Sequence, residues 1–159
     1  MTFLKVALVV VGLWLAAIWQ QSTIGDITLL GQKSAPLLII VVLVGLRTRP
    51  GWAAVVGFAA GLLQGGPAGA NLTAYCLSRT VVAFACSFVS RTGLSLNPFS
   101  VGALCAGATI FAQLSLLFLA PPPDIGRFLG ATMGTAIYNG VIAGLMEAIL
   151  RKTLEKPVD

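Results

Sequence analysis

Histidine is missing altogether, and only 9% of the 159 residues are charged. The first absence removes the commonest general base and metal ligand. The second removes the polar shell of a water-soluble domain, in which roughly a quarter of residues are charged. Acids are scarcer than bases, five Asp and Glu against ten Lys and Arg, for a net charge of +5. The basic residues lie between apolar runs and form no continuous face, so they fit membrane topology better than nucleic-acid binding. The three cysteines, Cys76, Cys86 and Cys105, include no CxxC pair and fall inside apolar segments. They read as small packing residues, not as a disulfide framework or a zinc site. No closely spaced pair of intramembrane acids, no nucleophile beside an evident base and no Walker-type phosphate loop occurs. Neither catalysis nor a cofactor nor a metal is expected.

What is present is apolar. Hydrophobic residues make up 57% of the chain and the mean hydropathy is +0.95. Apolar runs recur along the whole length, which predicts a single-domain, all-α, polytopic membrane bundle. Six spans are expected, at about 3–20, 28–46, 51–65, 72–90, 99–119 and 127–150. The first follows Lys5 as a signal peptide would, but its apolar run exceeds the usual h-region and Gln20-Gln21 follow without a cleavage site. It reads as an uncleaved transmembrane helix. The second carries Gln32 and Lys33 near its start.

Charge sets the orientation. With both termini in the cytoplasm, the inner side holds Lys5, Arg47, Arg49, Arg91, Arg151, Lys152 and Lys156, and the outer side only Lys33 and Arg127, beside Asp26 and Asp124. The inverse arrangement would oppose the positive-inside rule. Trp14, Trp19 and Trp52 lie near the expected interfaces, with Trp14 better explained by packing. Loops are short, and the outer connection from Ala120 to Gly126 holds Pro121-Pro122-Pro123, a stiff extended turn.

Glycines are spaced four apart in two spans: Gly57, Gly61 and Gly65 in the third, and Gly130 and Gly134, then Gly140 and Gly144, in the sixth. Residues four apart share a helix face. Lipid supplies no hydrophobic drive for helix association, so close approach over small residues helps supply the attraction. Such a ladder serves either packing within the bundle or contact with a partner's transmembrane helix, and spacing leaves both open. The first span has a similar face in Gly12 and Ala16. Gln64-Gly65-Gly66-Pro67 should end the third helix, with positive backbone angles at the glycines and the Gln64 amide bonding exposed carbonyls near the outer interface.

Five polar residues stand out inside the spans: Gln64, Arg79, Gln113, Asn139 and Glu147. An arginine at depth costs several kcal/mol unless it is paired or reaches water. Arg79 is therefore expected either to snorkel outward with local hydrogen bonds or to join a polar site or partner contact. Glu147 should lie near the inner face, about 15–20 Å from the level of Arg79 at 1.5 Å rise per residue, too far for a direct pair. Arg151, one turn later, is its simplest partner.

Several segments together resemble a known family. These are Leu46-Arg47-Thr48-Arg49-Pro50 before the third span, Gly57-Phe58-Ala59-Ala60-Gly61-Leu62-Leu63-Gln64 within it, and Thr135-Ala136-Ile137-Tyr138-Asn139-Gly140 in the sixth. They are similar to the rod shape-determining MreD family, small six-span bacterial inner-membrane proteins of about this length. Where that family often has an aspartate after GLLQ, this chain has Gly65, with Asn71 the nearest polar substitute. The resemblance implies a non-enzymatic role in the elongation machinery that builds lateral peptidoglycan. The direct partner would be the single-span periplasmic protein MreC, with MreB and the RodA–penicillin-binding-protein synthase in the same assembly. It also implies a fold like the substrate-binding S components of energy-coupling-factor vitamin transporters. That supplies a rival function, with Gly12 and Ala16 as a docking face and Gln64, Asn71, Arg79, Gln113 and Asn139 orienting a ligand.

Overall fold

The computed structural model describes residues 3–21, 35–66, 71–93 and 95–154. Helix starts are written in the sequence. Proline opens three helices, α2 (Pro36–Gly45), α3 (Pro50–Gly65) and α5 (Pro98–Leu119), where its missing N–H is not needed and its fixed φ suits the first turn. Asparagine opens two. Asn71 accepts from the Ala74 N–H at 3.3 Å to cap α4 (Leu72–Val89). Asn97 and Ser100 bond reciprocally, at 2.7 and 3.0 Å, to cap α5; each cap satisfies donors the helix leaves open. Asp124 accepts from the Arg127 N–H at 3.0 Å at the start of α6 (Ile125–Leu154). α1 covers Phe3–Gln21.

The described residues are helical, with no strand among them. Three helices, Leu72–Val89, Pro98–Leu119 and Ile125–Lys152, are long and apolar enough to cross a membrane, which points to a membrane protein. α1 and α2 carry shorter apolar stretches, Val6–Gln20 and Pro36–Gly45. The second expected span began at 28, whereas its helix begins at Pro36; residues 28–34, with Gln32 and Lys33, lie outside the described residues, as does Pro67.

α2 organises the bundle. It is apolar all round, and Leu37, Leu38, Ile39, Val41, Val42, Leu43 and Gly45 are all buried. A helix with no polar face has to be enclosed, and α2 touches each of the other five. Around it stand two antiparallel hairpins, α3 with α4 and α5 with α6. Large side chains such as Phe99, Phe118, Ile137 and Ile149 face outward, the arrangement expected where the surroundings are lipid. Trp14 is 58% exposed and faces outward, contrary to the packing role expected of it.

Glycine brings each hairpin together. A Cβ on Gly57 would stand 2.5 Å from the Arg79 carbonyl oxygen, and one on Gly61 2.5 Å from the Cys76 Cα. Gly65 sits against Leu72 and Tyr75. In the second hairpin, Cβ atoms on Gly140 and Gly144 would meet the carbonyls of Gly102 and Pro98 at 2.9 Å each. Gly65 therefore serves close approach, and neither it nor Gly66 takes an unusual backbone angle: Gly66 keeps φ −59°, and the positive φ among the described glycines is at Gly93. Gly130 differs from Gly140 and Gly144, because a Cβ there meets nothing within 4 Å. Ala16 is buried, and a Cβ on Gly12 would stand 3.9 Å from Ile40, so the small face of α1 packs on α2. Cys76, Cys86 and Cys105 are buried and unbridged.

Gly61→Ala should cost about 1–3 kcal/mol, because its methyl group meets backbone that cannot rotate away. Gly130→Ala should leave stability within about 0.5 kcal/mol. Unfolding of both variants in detergent tests this, and equal effects would refute the close-packing account.

Candidate functional site

Because Gly57 and Gly61 let α3 lie against α4, the next turn of α3 can reach a residue buried in α4. Gln64 Oε1 accepts from Arg79 Nε at 2.9 Å. Arg79 does not snorkel: it is 1% exposed. Its Nη1 makes a long 3.5 Å contact with Ser78 Oγ, and its guanidinium lies 5.8 Å from the centre of the Tyr75 ring, within cation–π range. Ser78 Oγ in turn donates to the Ala112 carbonyl on α5 at 2.9 Å. One arginine thereby links α3, α4 and α5. The expectation that Gln64 bonds exposed carbonyls at an interface is corrected.

A second tie lies against the start of α2. Asn139, fully buried on α6, accepts from the Ala35 N–H at 3.0 Å and donates to Thr109 Oγ1 at 3.2 Å. Thr109 Oγ1 donates to the Cys105 carbonyl at 2.8 Å. The first N–H groups of a helix have no partner within it. Here the chain enters α2 inside the bundle, and an amide from a distant helix supplies the missing acceptor.

The third tie closes the opposite end of α2. Glu147 on α6, 3% exposed, forms an ion pair with Arg47, whose Nη1 also donates to the Leu43 carbonyl at 3.1 Å. This corrects the expected pairing with Arg151. Arg47 lies just beyond the end of α2, where its long side chain crosses to α6, while Arg151 is exposed.

Sequence reasoning thus singled out Gln64, Arg79, Asn139 and Glu147 but missed how they are partnered, along with Ser78 and Thr109. The structure does not gather them into one site: they form three separate ties. Gln113 and Tyr138 are half-buried and Asn71 is exposed at its cap. Chemically, these groups are occupied in holding helices together. Ser78, Ser87 and Thr109 hydroxyls donate to backbone carbonyls, and Glu147 is held by Arg47. Among the described residues no group of three His, Cys, Asp or Glu could hold a metal ion.

Of the two uses open to the glycine ladders, Gly57, Gly61, Gly65, Gly140 and Gly144 serve the bundle itself. Gly134 is half-buried, and Gly130 is exposed on the outer face of α6. That face continues through Met133, Ile137, Val141, Leu145 and Ile149, all exposed. Comparison of the chain with protein-family models, with curated proteins and with solved structures finds no match.

Two variants test the ties. Asn139→Leu leaves the Ala35 N–H without its acceptor and should cost about 1–3 kcal/mol. Arg47→Leu leaves the Glu147 carboxylate buried and unpaired and should cost about 3 kcal/mol, more than Arg47→Leu combined with Glu147→Leu. Unfolding in detergent measures both; equal losses for the single and double variants would show that the pair acts through volume alone.

Proposed function

We propose that the chain is a non-enzymatic scaffold of MreD type in the bacterial inner membrane. It would cross six times with both termini in the cytoplasm, α1, α2 and α3 crossing beside α4, α5 and α6. Its role is to hold MreC in the cell-elongation complex that directs lateral peptidoglycan synthesis, in the assembly that contains MreB and the RodA–penicillin-binding-protein synthase. The reading rests on the resemblance in the third and sixth spans and on the placement of basic residues.

The observation that carries the partner contact is Gly130. It belongs to a glycine ladder whose other members lie against α5 or are half-buried, yet nothing within 4 Å would meet its Cβ. A transmembrane helix from another chain can approach the α6 backbone closely there and continue along Met133 and Ile137. The single span of MreC is our occupant for that face.

The rival reading, a vitamin-binding S component, has less to draw on. The Gly12 and Ala16 face that would dock on an energising module packs on α2. The amides of Gln64 and Asn139, which would orient a ligand, are engaged by Arg79, Ala35 and Thr109.

A tagged chain purified in mild detergent should retain a single-span protein with a periplasmic coiled coil. Gly130→Leu should reduce that retention about tenfold, or ~1.4 kcal/mol, with the unfolding temperature unchanged. Recovery of paired ATPases and a coupling membrane subunit instead would overturn the scaffold reading in favour of transport.

A further inference from the structure

We propose that the groove between α4 and α5 binds one acyl chain of an anionic phospholipid, with Arg91 at its mouth holding the phosphate. The groove has a volume of about 530 Å³ and opens to the outside of the bundle. Val82, Cys86 and Val89 form one wall, and Phe99, Leu104 and Phe111 the other. Its floor is low because Gly107 has no side chain and nothing within 4 Å of where a Cβ would stand.

Two closures set its length. At the deep end the Ser78 hydroxyl bonds the Ala112 carbonyl at 2.9 Å and holds the helices together. At the other end the chain leaves α4 at Val89 and enters α5 at Pro98. The α5 lining runs from Phe99 to Phe111, about 18 Å at 1.5 Å per residue, close to half of a hydrocarbon core ~30 Å thick. A groove one leaflet long suits an acyl chain that starts at the headgroup level and ends near the midplane. A transmembrane helix suits it poorly, being about 10–12 Å wide and needing a trough across both leaflets.

The mouth selects charge. Arg91 is not part of the lining but follows its residue Val89 by two positions; it is exposed, it is the single charged residue between Ser90 and Asn97, and it makes no ion pair among the described residues. Arg49, Arg151 and Lys152 are exposed at that end of the bundle, so a negatively charged headgroup is favoured over a zwitterionic one. This inference requires that the chain lie in a bilayer, and it is independent of the elongation-complex reading.

The test reconstitutes the full chain in vesicles of phosphatidylglycerol and phosphatidylethanolamine in equal parts. The protein is re-extracted in mild detergent, and native mass spectrometry counts the retained lipid. One phosphatidylglycerol per chain is expected, with Arg91→Gln reducing its retention about fivefold. Gly107→Leu should abolish retention, because its side chain fills the floor. Ala103→Leu, on the exposed lining of α5, provides the same block should Gly107→Leu unfold. Equal retention of the two lipids, unchanged retention in Arg91→Gln, or full retention in a folded groove-filling variant would each overturn the proposal.

Discussion

A ten-residue helix with no polar side stands at the centre of this protein, and the remaining helices are arranged to enclose it. α2 spans about 15 Å, and leucine, isoleucine and valine project from it in nearly every direction. Five helices can share so short a neighbour only if those around it also lie close to one another. That requirement falls on glycine. Along α3 and α6, glycines let backbone meet the backbone of α4 and α5, and the two tight hairpins then fit around α2. In a lipid environment apolar burial alone does not drive helices together, so this dispersion-rich contact contributes directly to assembly.

The polar residues complete what packing leaves undone. α2 begins inside the bundle, so its first N–H groups lack water, and Asn139 answers with an acceptor held in place by Thr109. Beyond its other end Arg47 reaches across to Glu147. The charge on Arg79 is surrounded by neutral groups, the Gln64 amide, the Ser78 hydroxyl and the Tyr75 ring. Each hydrogen bond of this kind contributes little on its own, roughly 0.6–2 kcal/mol between membrane helices. Their larger effect is on register. If α3 slid past α4 by one turn, Gln64 would leave Arg79 as a buried cation with no strong acceptor, a cost well above that of the bond itself.

Much of this architecture was legible in the sequence, because local chemistry fixes it. Pro50, Asn71 and Asn97 mark helix starts, and the spacing of Gly57, Gly61 and Gly65 marks a contact face; the enclosure of α2 on all sides appears only in the structure. The pairings were harder to read. Glu147 was given the partner four residues away because helical spacing is visible in one sequence, whereas the hundred-residue separation from Arg47 is not. Gln64 was weighed against the bilayer surface and not against its neighbour. The ladder carries the alignment of the hairpin, Gly57 on Arg79, Gly61 on Cys76 and Gly65 on Leu72, but not the reach of the Arg79 side chain back along α4 to Gln64. Gly130 shares the spacing of its ladder but not its contacts, since spacing records a face and not what covers it.

Among the described residues, the polar groups inside the bundle are already engaged. Gln64, Asn139 and Glu147 each already hold another helix, and the buried glycines leave no room for even a methyl group. A ligand entering the core would have to break a tie and open a hairpin together, paying for both at once. What remains available lies on the outside, at two places where the packing stops: the uncovered glycine of α6, and the groove where α4 and α5 part below the Ser78–Ala112 bond. They lie on different hairpins, one suited to a helix and the other to a single chain of lipid. Packing and polar ties thus act together in the described core, while the apolar surface around it differs from one hairpin to the next.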